Sequence, residues 1–90
     1  MIAPFMENHV LSGELNFRVR DTGAIIELVR ERFRSEGTED FTDGYSVESG
    51  DWRFNIRPSN TEPLLRLNVE ARKQSSIDEI TAIIGKIAAS

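Results

Sequence analysis

The stretch from Trp52 to Val69 leaves few choices of fold. Trp52, Phe54 and Ile56 alternate with Arg53, Asn55 and Arg57, and Leu65, Leu67 and Val69 alternate with Arg66, Asn68 and Glu70. A period of two marks strands with one apolar and one polar side. The Pro-bounded loop Pro58–Pro63 joins the two runs, so an antiparallel hairpin is predicted whose apolar side must be covered. Just upstream, "YSVES" and "WRFNIRP" flank Gly50-Asp51. Glycine at the first central position predicts a two-residue type II′ turn there. "GELNFRVR" repeats the alternation through Leu15, Phe17 and Val19 and adds a fourth strand.

Two segments can supply the cover. After a candidate N-cap at Asp21 or Thr22, the apolar residues Ile25, Leu28, Val29 and Phe33 recur at helical spacing, and Gly37 suits the stop. The charges on this helix (Glu27, Arg30, Glu31, Arg34) alternate in sign, as on a solvated face. Near the end of the chain, Ser76 and Glu79 have the spacing of a capping box, and Ile77, Ile80, Ile84 and Ile87 form one apolar stripe. The predicted fold class is α+β, in the order β-α-β-β-β-α. It is a mostly antiparallel four-stranded sheet with two helices packed on one face. Residues 1–11 show no period and read as an N-terminal tail, and residues 12–90 as one domain.

Composition narrows the chemistry. The chain has no cysteine and one histidine, His9, which excludes a disulfide framework, a thiol nucleophile and a cysteine zinc site. His9 has no second ligand in view, so no metal site and no catalytic residue are predicted in this chain. No apolar run approaches the roughly 18 residues of a membrane span, and no signal peptide is visible, so the expected location is cytoplasmic and no membrane partner is expected. The net charge of −4 is unevenly spread. Residues 52–73 carry five basic and two acidic side chains, a net +3, and the remainder carries −7. A cationic patch on an acidic body suits a small anion better than nucleic acid, which the body would repel.

The loop Pro58-Ser59-Asn60-Thr61-Glu62-Pro63 lies within that patch, with Arg57 and Arg66 at its base. Ser59 and Thr61 offer hydroxyl donors and Asn60 an amide. The prolines restrict the backbone, so successive N–H groups between them could form an anion nest. Arginine's planar fork grips two phosphate oxygens together. Residues of these types are also ordinary turn formers, so the same loop is compatible with a purely structural tip. Glu62 is unfavourable beside a phosphate unless it turns away, to hold the loop or pair with an arginine.

"RPSNTEPLLRLNVEA", with "SGELNFRVRDTGAIIELVRERF" and "DGYSVESGDWRFNIRP" before it, resembles the C-terminal (fourth) domain of the α-D-phosphohexomutases, the phosphomannomutase/phosphoglucomutase family. The likeness covers residues 12–88. It implies that the loop holds the phosphate of a hexose phosphate substrate through Arg57, Ser59, Asn60 and Thr61, with Arg66 and Glu62 as further candidates. In that family a phosphoserine exchanges a phosphoryl group through a bisphosphorylated sugar, interconverting hexose 1-phosphate and 6-phosphate. Mg²⁺ is held by an Asp-rich loop. The D-x-D-x-D metal loop, the serine loop and the G-E-x-S-G-type sugar motif do not occur here. The expectation is a terminal domain without a cofactor of its own, partnered by the other domains of a longer mutase and inactive alone. Asn60 stands where the glucosamine-phosphate branch usually has glycine, which leans the resemblance towards phosphomannomutase or phosphoglucomutase. The competing readings are a nucleic-acid-binding module, if the aromatics Phe17, Trp52 and Phe54 face solvent, and a protein-interaction module.

Overall fold

The computed structural model describes residues 10–89. His9 and most of the segment read as a tail lie outside the described residues. The elements run β1 (Val10–Arg18), α1 (Thr22–Phe33), β2 (Thr38–Asp40), β3 (Tyr45–Glu48), β4 (Trp52–Pro58), β5 (Leu64–Ala71) and α2 (Gln74–Ala89). They form one sheet in the order β1-β5-β4-β3-β2, antiparallel at every step. The α+β class and the two helices on one side are as predicted. The sheet has five strands rather than four. The extra one, Thr38–Asp40, has no apolar residue and hence no alternation to read. It is an edge strand blunted by its shortness and charge.

Cross-strand registers stack the apolar residues in rows. Tyr45 lies opposite Ile56, which lies opposite Leu67, which lies opposite Leu15; Val47, Phe54 and Val69 make the next row. All of these except the half-buried Leu15 are at most 1% exposed. Onto this side α1 lays Ile25, Val29 and Phe33, and α2 lays Ile77, Ile80 and Ile84. Phe33 meets Phe54 edge-on at 4.9 Å and Trp52 at 5.9 Å, which fixes α1 over β4. Leu28 is 47% exposed, contrary to expectation. The helix buries the narrow i, i+4, i+8 line, and Leu28 lies one ridge to its side.

Two local expectations fail for identifiable reasons. The Ser49 N–H donates to the Trp52 carbonyl (2.8 Å) around Gly50-Asp51, but only Gly13 and Gly44 have positive φ, so the turn is not type II′. The Asp51 carbonyl is instead drawn toward β5, where it accepts from the Arg72 N–H at 3.1 Å. At α2 the Lys73 carbonyl accepts from the N–H groups of Ser76 (3.2 Å) and Ile77 (3.4 Å). The helix therefore starts at Gln74, and Ser76 sits in its first turn rather than at a cap. At α1 the choice of cap is Asp21, whose Oδ1 accepts from the Ala24 N–H at 3.1 Å. β1 begins at Val10, inside the segment read as a tail. Among the described residues no helix is long and apolar enough to cross a membrane.

Candidate functional site

The side of the sheet away from the helices also reads in rows, and they are not alike. Glu48, Arg53 and Glu70 lie opposite one another and alternate in sign. Ser46, Asn55 and Asn68 make a row that is neutral at its centre and flanked by Asp40 opposite Ser46 and Glu14 opposite Asn68, with Asn55 Nδ2 donating to Ser46 Oγ at 2.9 Å. The row nearest the Pro58–Pro63 loop pairs Arg57 directly with Arg66. Like charges directly opposite on antiparallel strands destabilise a sheet by a few tenths to about 1 kcal/mol. Nothing about strand pairing requires this pair.

Above it sits a cleft of about 490 Å³ lined by Asp43, Gly44, Arg57, Pro58, Ser59, Asn60, Thr61 and Arg66. The four principal candidates and Arg66 are thus brought together. The Ser59 N–H donates to the Leu64 carbonyl (2.9 Å) and the Leu64 N–H to the Glu62 carbonyl (2.7 Å), closing the loop on itself. The Val19 N–H donates to the Pro63 carbonyl (2.9 Å) and ties the loop base to the end of β1. Ser59 Oγ accepts from the Thr61 N–H at 3.3 Å, which leaves its own proton to donate outward. The uninterrupted nest of N–H groups does not form, because the Ser59 and Thr61 amides are used inside the loop. Among the described residues the Asn60 and Glu62 amides have no partner. Glu62 is exposed and does not line the cleft; its backbone carbonyl rather than its carboxylate holds the turn.

Each arginine has a carboxylate beside it. Arg57 Nη1 donates to Asp43 Oδ2 at 3.2 Å. Arg66 Nε lies 3.8 Å from Glu14 Oε2, too far for a hydrogen bond, and is buried without a partner among the described residues. A buried donor left unmade costs about 1–3 kcal/mol, and the nearby Glu14 carboxylate offsets part of that cost electrostatically. The backbone at Asp43 is built in, although its side chain is largely exposed. Its carbonyl accepts from Asn55 Nδ2 at 2.6 Å, and Thr42 beside it donates its N–H to Asp40 Oδ1 at 2.8 Å. The Thr42 backbone and side-chain bonds hold the Asp40 carboxyl below its usual value. Gly44, at φ +74°, lies flat on β4: a Cβ there would stand 2.5 Å from the Ile56 carbonyl oxygen and 2.7 Å from Arg57 Cβ.

The strand aromatics do not face this side. Tyr45 and Phe54 are buried, and Phe17 and Trp52 pack half-buried against the same helix-side core. No stacking platform of the nucleic-acid kind is present on the open face among the described residues.

Residues 14–86 match the family model described as phosphoglucomutase/phosphomannomutase, C-terminal domain. The chain belongs to that family. A phosphohexose mutase of Xanthomonas campestris is 48% identical over 75 residues, 82% of this chain and 17% of that protein. A phosphomannomutase of Methanocaldococcus jannaschii is 46% identical over 83 residues, 88% of this chain and 18% of its own length. One from Salmonella typhimurium is 52% identical over 62 residues, 68% of this chain and 14% of its own length. The chain thus spans less than a fifth of the relatives it matches.

Within this phosphoglucomutase/phosphomannomutase C-terminal domain, sequence reasoning missed Asp43 and Gly44. A signal was available. Extending the β3–β4 ladder one step beyond Tyr45 and Ile56 sets Gly44 across from Arg57 and brings Asp43 to the cleft.

Proposed function

We propose that this domain holds the phosphate group of a hexose phosphate in a phosphomannomutase/phosphoglucomutase. The carrying observation is the Arg57–Arg66 row opening onto the hydroxyl-bearing loop in one polar cleft. A phosphate dianion between two guanidinium forks turns an unfavourable like-charge pair into two charge-assisted contacts. Ser59, Asn60 and Thr61 supply neutral donors to the remaining oxygens, and the closed loop limits the ordering that binding must impose.

In this reading the domain positions the substrate, and the remainder of a longer enzyme performs the chemistry. That chemistry interconverts 1- and 6-phosphates through a phosphoserine and a bisphosphorylated sugar, with Mg²⁺ supplying charge neutralisation. Among the described residues no group of three or more His, Cys, Asp or Glu is placed to hold a metal ion. The other domains are its partners, and a cytoplasmic location for the parent belongs to the same proposal.

The test is an amide NMR titration of this chain with inorganic phosphate. Affinity on the order of millimolar is expected, because sugar contacts and a water-excluding closure are absent. Shifts should concentrate at Arg57, Ser59–Thr61 and Arg66 and leave Ile25–Phe33 unmoved. Shifts spread evenly over all basic residues would mean counterion screening and would remove the proposal.

A further inference from the structure

We infer that Asp43 is a positioning residue for Arg57: it holds the guanidinium by Nη1 and leaves the Nε–Nη2 edge to grip an oxyanion. The inference rests on the phosphate-holding function proposed above. It begins from a conflict, because a carboxylate in the wall of an anion cleft repels the ligand and should be absent unless it does something else.

The construction around Asp43 says what that is. The exposed ion pairs in and just after α1 join residues three or four apart: Arg30 to Glu27 at 3.5 Å within the helix, and Arg34 to Glu31 at 4.0 Å and Arg32 to Glu36 at 3.5 Å across its C-terminal end. Such pairs follow from closeness in the chain. Asp43 reaches Arg57 from fourteen residues away, on a turn fixed to β4 at two points and to the end of β2 at a third. Asn55 Nδ2 holds its carbonyl, Gly44 lies against the backbone of Ile56 and Arg57, and the Asp40 carboxylate caps Thr42 one residue earlier. The backbone that carries the carboxylate is therefore held in place, one side-chain bond away from the guanidinium, and Arg57 is the partner that fixes the carboxylate itself, which is otherwise 68% exposed. Among the described residues, Arg57 Nε and Nη2 make no hydrogen bond. One corner of the fork is fastened and a two-nitrogen edge is left free, which is the edge that recognises two phosphate oxygens.

A counter-ion role predicts something different, and three variants separate the two. Asp43→Asn keeps an acceptor oxygen and loses the charge; Asp43→Ala loses both. If Asp43 positions Arg57, phosphate should bind Asp43→Asn at least as well as the wild type. It should bind Asp43→Ala about two- to tenfold more weakly, the penalty for immobilising one long side chain on binding. If Asp43 only neutralises Arg57, both variants should bind phosphate more tightly than the wild type, and the inference falls. Asp43→Ser, too short to reach the guanidinium, should behave as Asp43→Ala and replaces it if that variant does not fold.

A second readout needs no ligand. The ¹⁵N heteronuclear NOE of Arg57 Nε–Hε should drop in Asp43→Ala and persist in Asp43→Asn. An unchanged NOE in Asp43→Ala overturns the positioning role whatever phosphate does. If the wild type shows no local phosphate response while the NOE drops as expected, the phosphate-holding function fails and the Asp43–Arg57 positioning stands.

Discussion

Two glycines in the neighbouring turns around β3 should respond oppositely to alanine. Gly44 has φ +74°, and its missing Cβ would lie 2.5 Å from the Ile56 carbonyl oxygen, 2.7 Å from Arg57 Cβ and 3.0 Å from Arg57 Cα. Alanine in the left-handed region costs about 1–2 kcal/mol. Relieving contacts with strand backbone costs a further 1–3 kcal/mol or so, as for overpacked sites. Gly44→Ala should therefore lose at least about 2 kcal/mol, and for a domain of this size that lowers Tm by roughly 8 °C or more. Gly50 is not in the left-handed region, and a Cβ there would meet nothing within 4 Å. Gly50→Ala should be neutral or stabilising by about 0.4–1 kcal/mol, because it restricts the unfolded chain. Urea unfolding followed by the fluorescence of Trp52, the one tryptophan, measures both. A Gly44→Ala variant within about 0.5 kcal/mol of the wild type would refute the placement of the turn on β4. A Gly50→Ala variant costing more than Gly44→Ala would restore the type II′ turn.

Arg66→Gln removes the like charge opposite Arg57 together with the buried, unpartnered Nε. Stability at low salt should hold or rise by up to about 1 kcal/mol while phosphate affinity falls about tenfold, and a stability loss beyond about 1 kcal/mol would make Arg66 structural. Arg57→Lys should also weaken phosphate about tenfold in the titration, since an ammonium lacks the fork, with Tm nearly unchanged because the exposed pair with Asp43 is worth at most about 1 kcal/mol. Burial first, and then its hydrogen bond to Glu39 Oε2 at 2.7 Å, push the Tyr45 phenol well above its ordinary value of 10.0. The unfolded chain then releases this proton before the folded one does, so stability should be fully present below pH ~10 and fall above it. Tyr45 is the one tyrosine, so a 295 nm titration showing phenolate in the still-folded protein near pH 10 would contradict its burial.

How far the sequence could be read depended on how each feature is encoded. The three long strands and both helices carry periodic apolar residues, and the structure turns those residues to the core side, with Leu15, Phe17, Trp52 and Ile87 half-buried at its margin. Leu28 is exposed, because hydrophobicity marks a helix face only to within a ridge. β2 was illegible: its pairing is entirely backbone, and Thr-Glu-Asp reads as loop. The Ser76 capping signal was real as a pattern but lost to tertiary context, since the Arg72 N–H is engaged by Asp51 and the helix is entered from Lys73. The site divides in the same way. Arg57, Ser59, Asn60, Thr61 and Arg66 are contiguous across one hairpin, so local spacing was enough to group them. Asp43 comes from another element and could be placed only through register, which demands correct pairing of β3 with β4.

The arrangement of charge also limits what the cleft can serve. Apart from residues 52–73 the chain carries −7, so a long polyanion laid across the open face would meet repulsion well beyond the two arginines. A dianion the size of phosphate samples only the field within roughly one Debye length, about 8–10 Å at physiological salt. Arg57 and Arg66 each have a carboxylate beside them, Asp43 and Glu14, so the net charge of the cleft wall does not by itself account for attraction. Specificity must come from geometry: the free edge of the Arg57 fork beside Arg66, and the hydroxyl and amide side chains of Ser59, Asn60 and Thr61 that line the same cleft. A site of that kind favours tetrahedral oxyanions over chloride at equal ionic strength. Sulfate should therefore compete with phosphate at Ser59–Thr61, and chloride at the same ionic strength should not. Equal competition by chloride would reduce the cleft to a place where charge is merely screened.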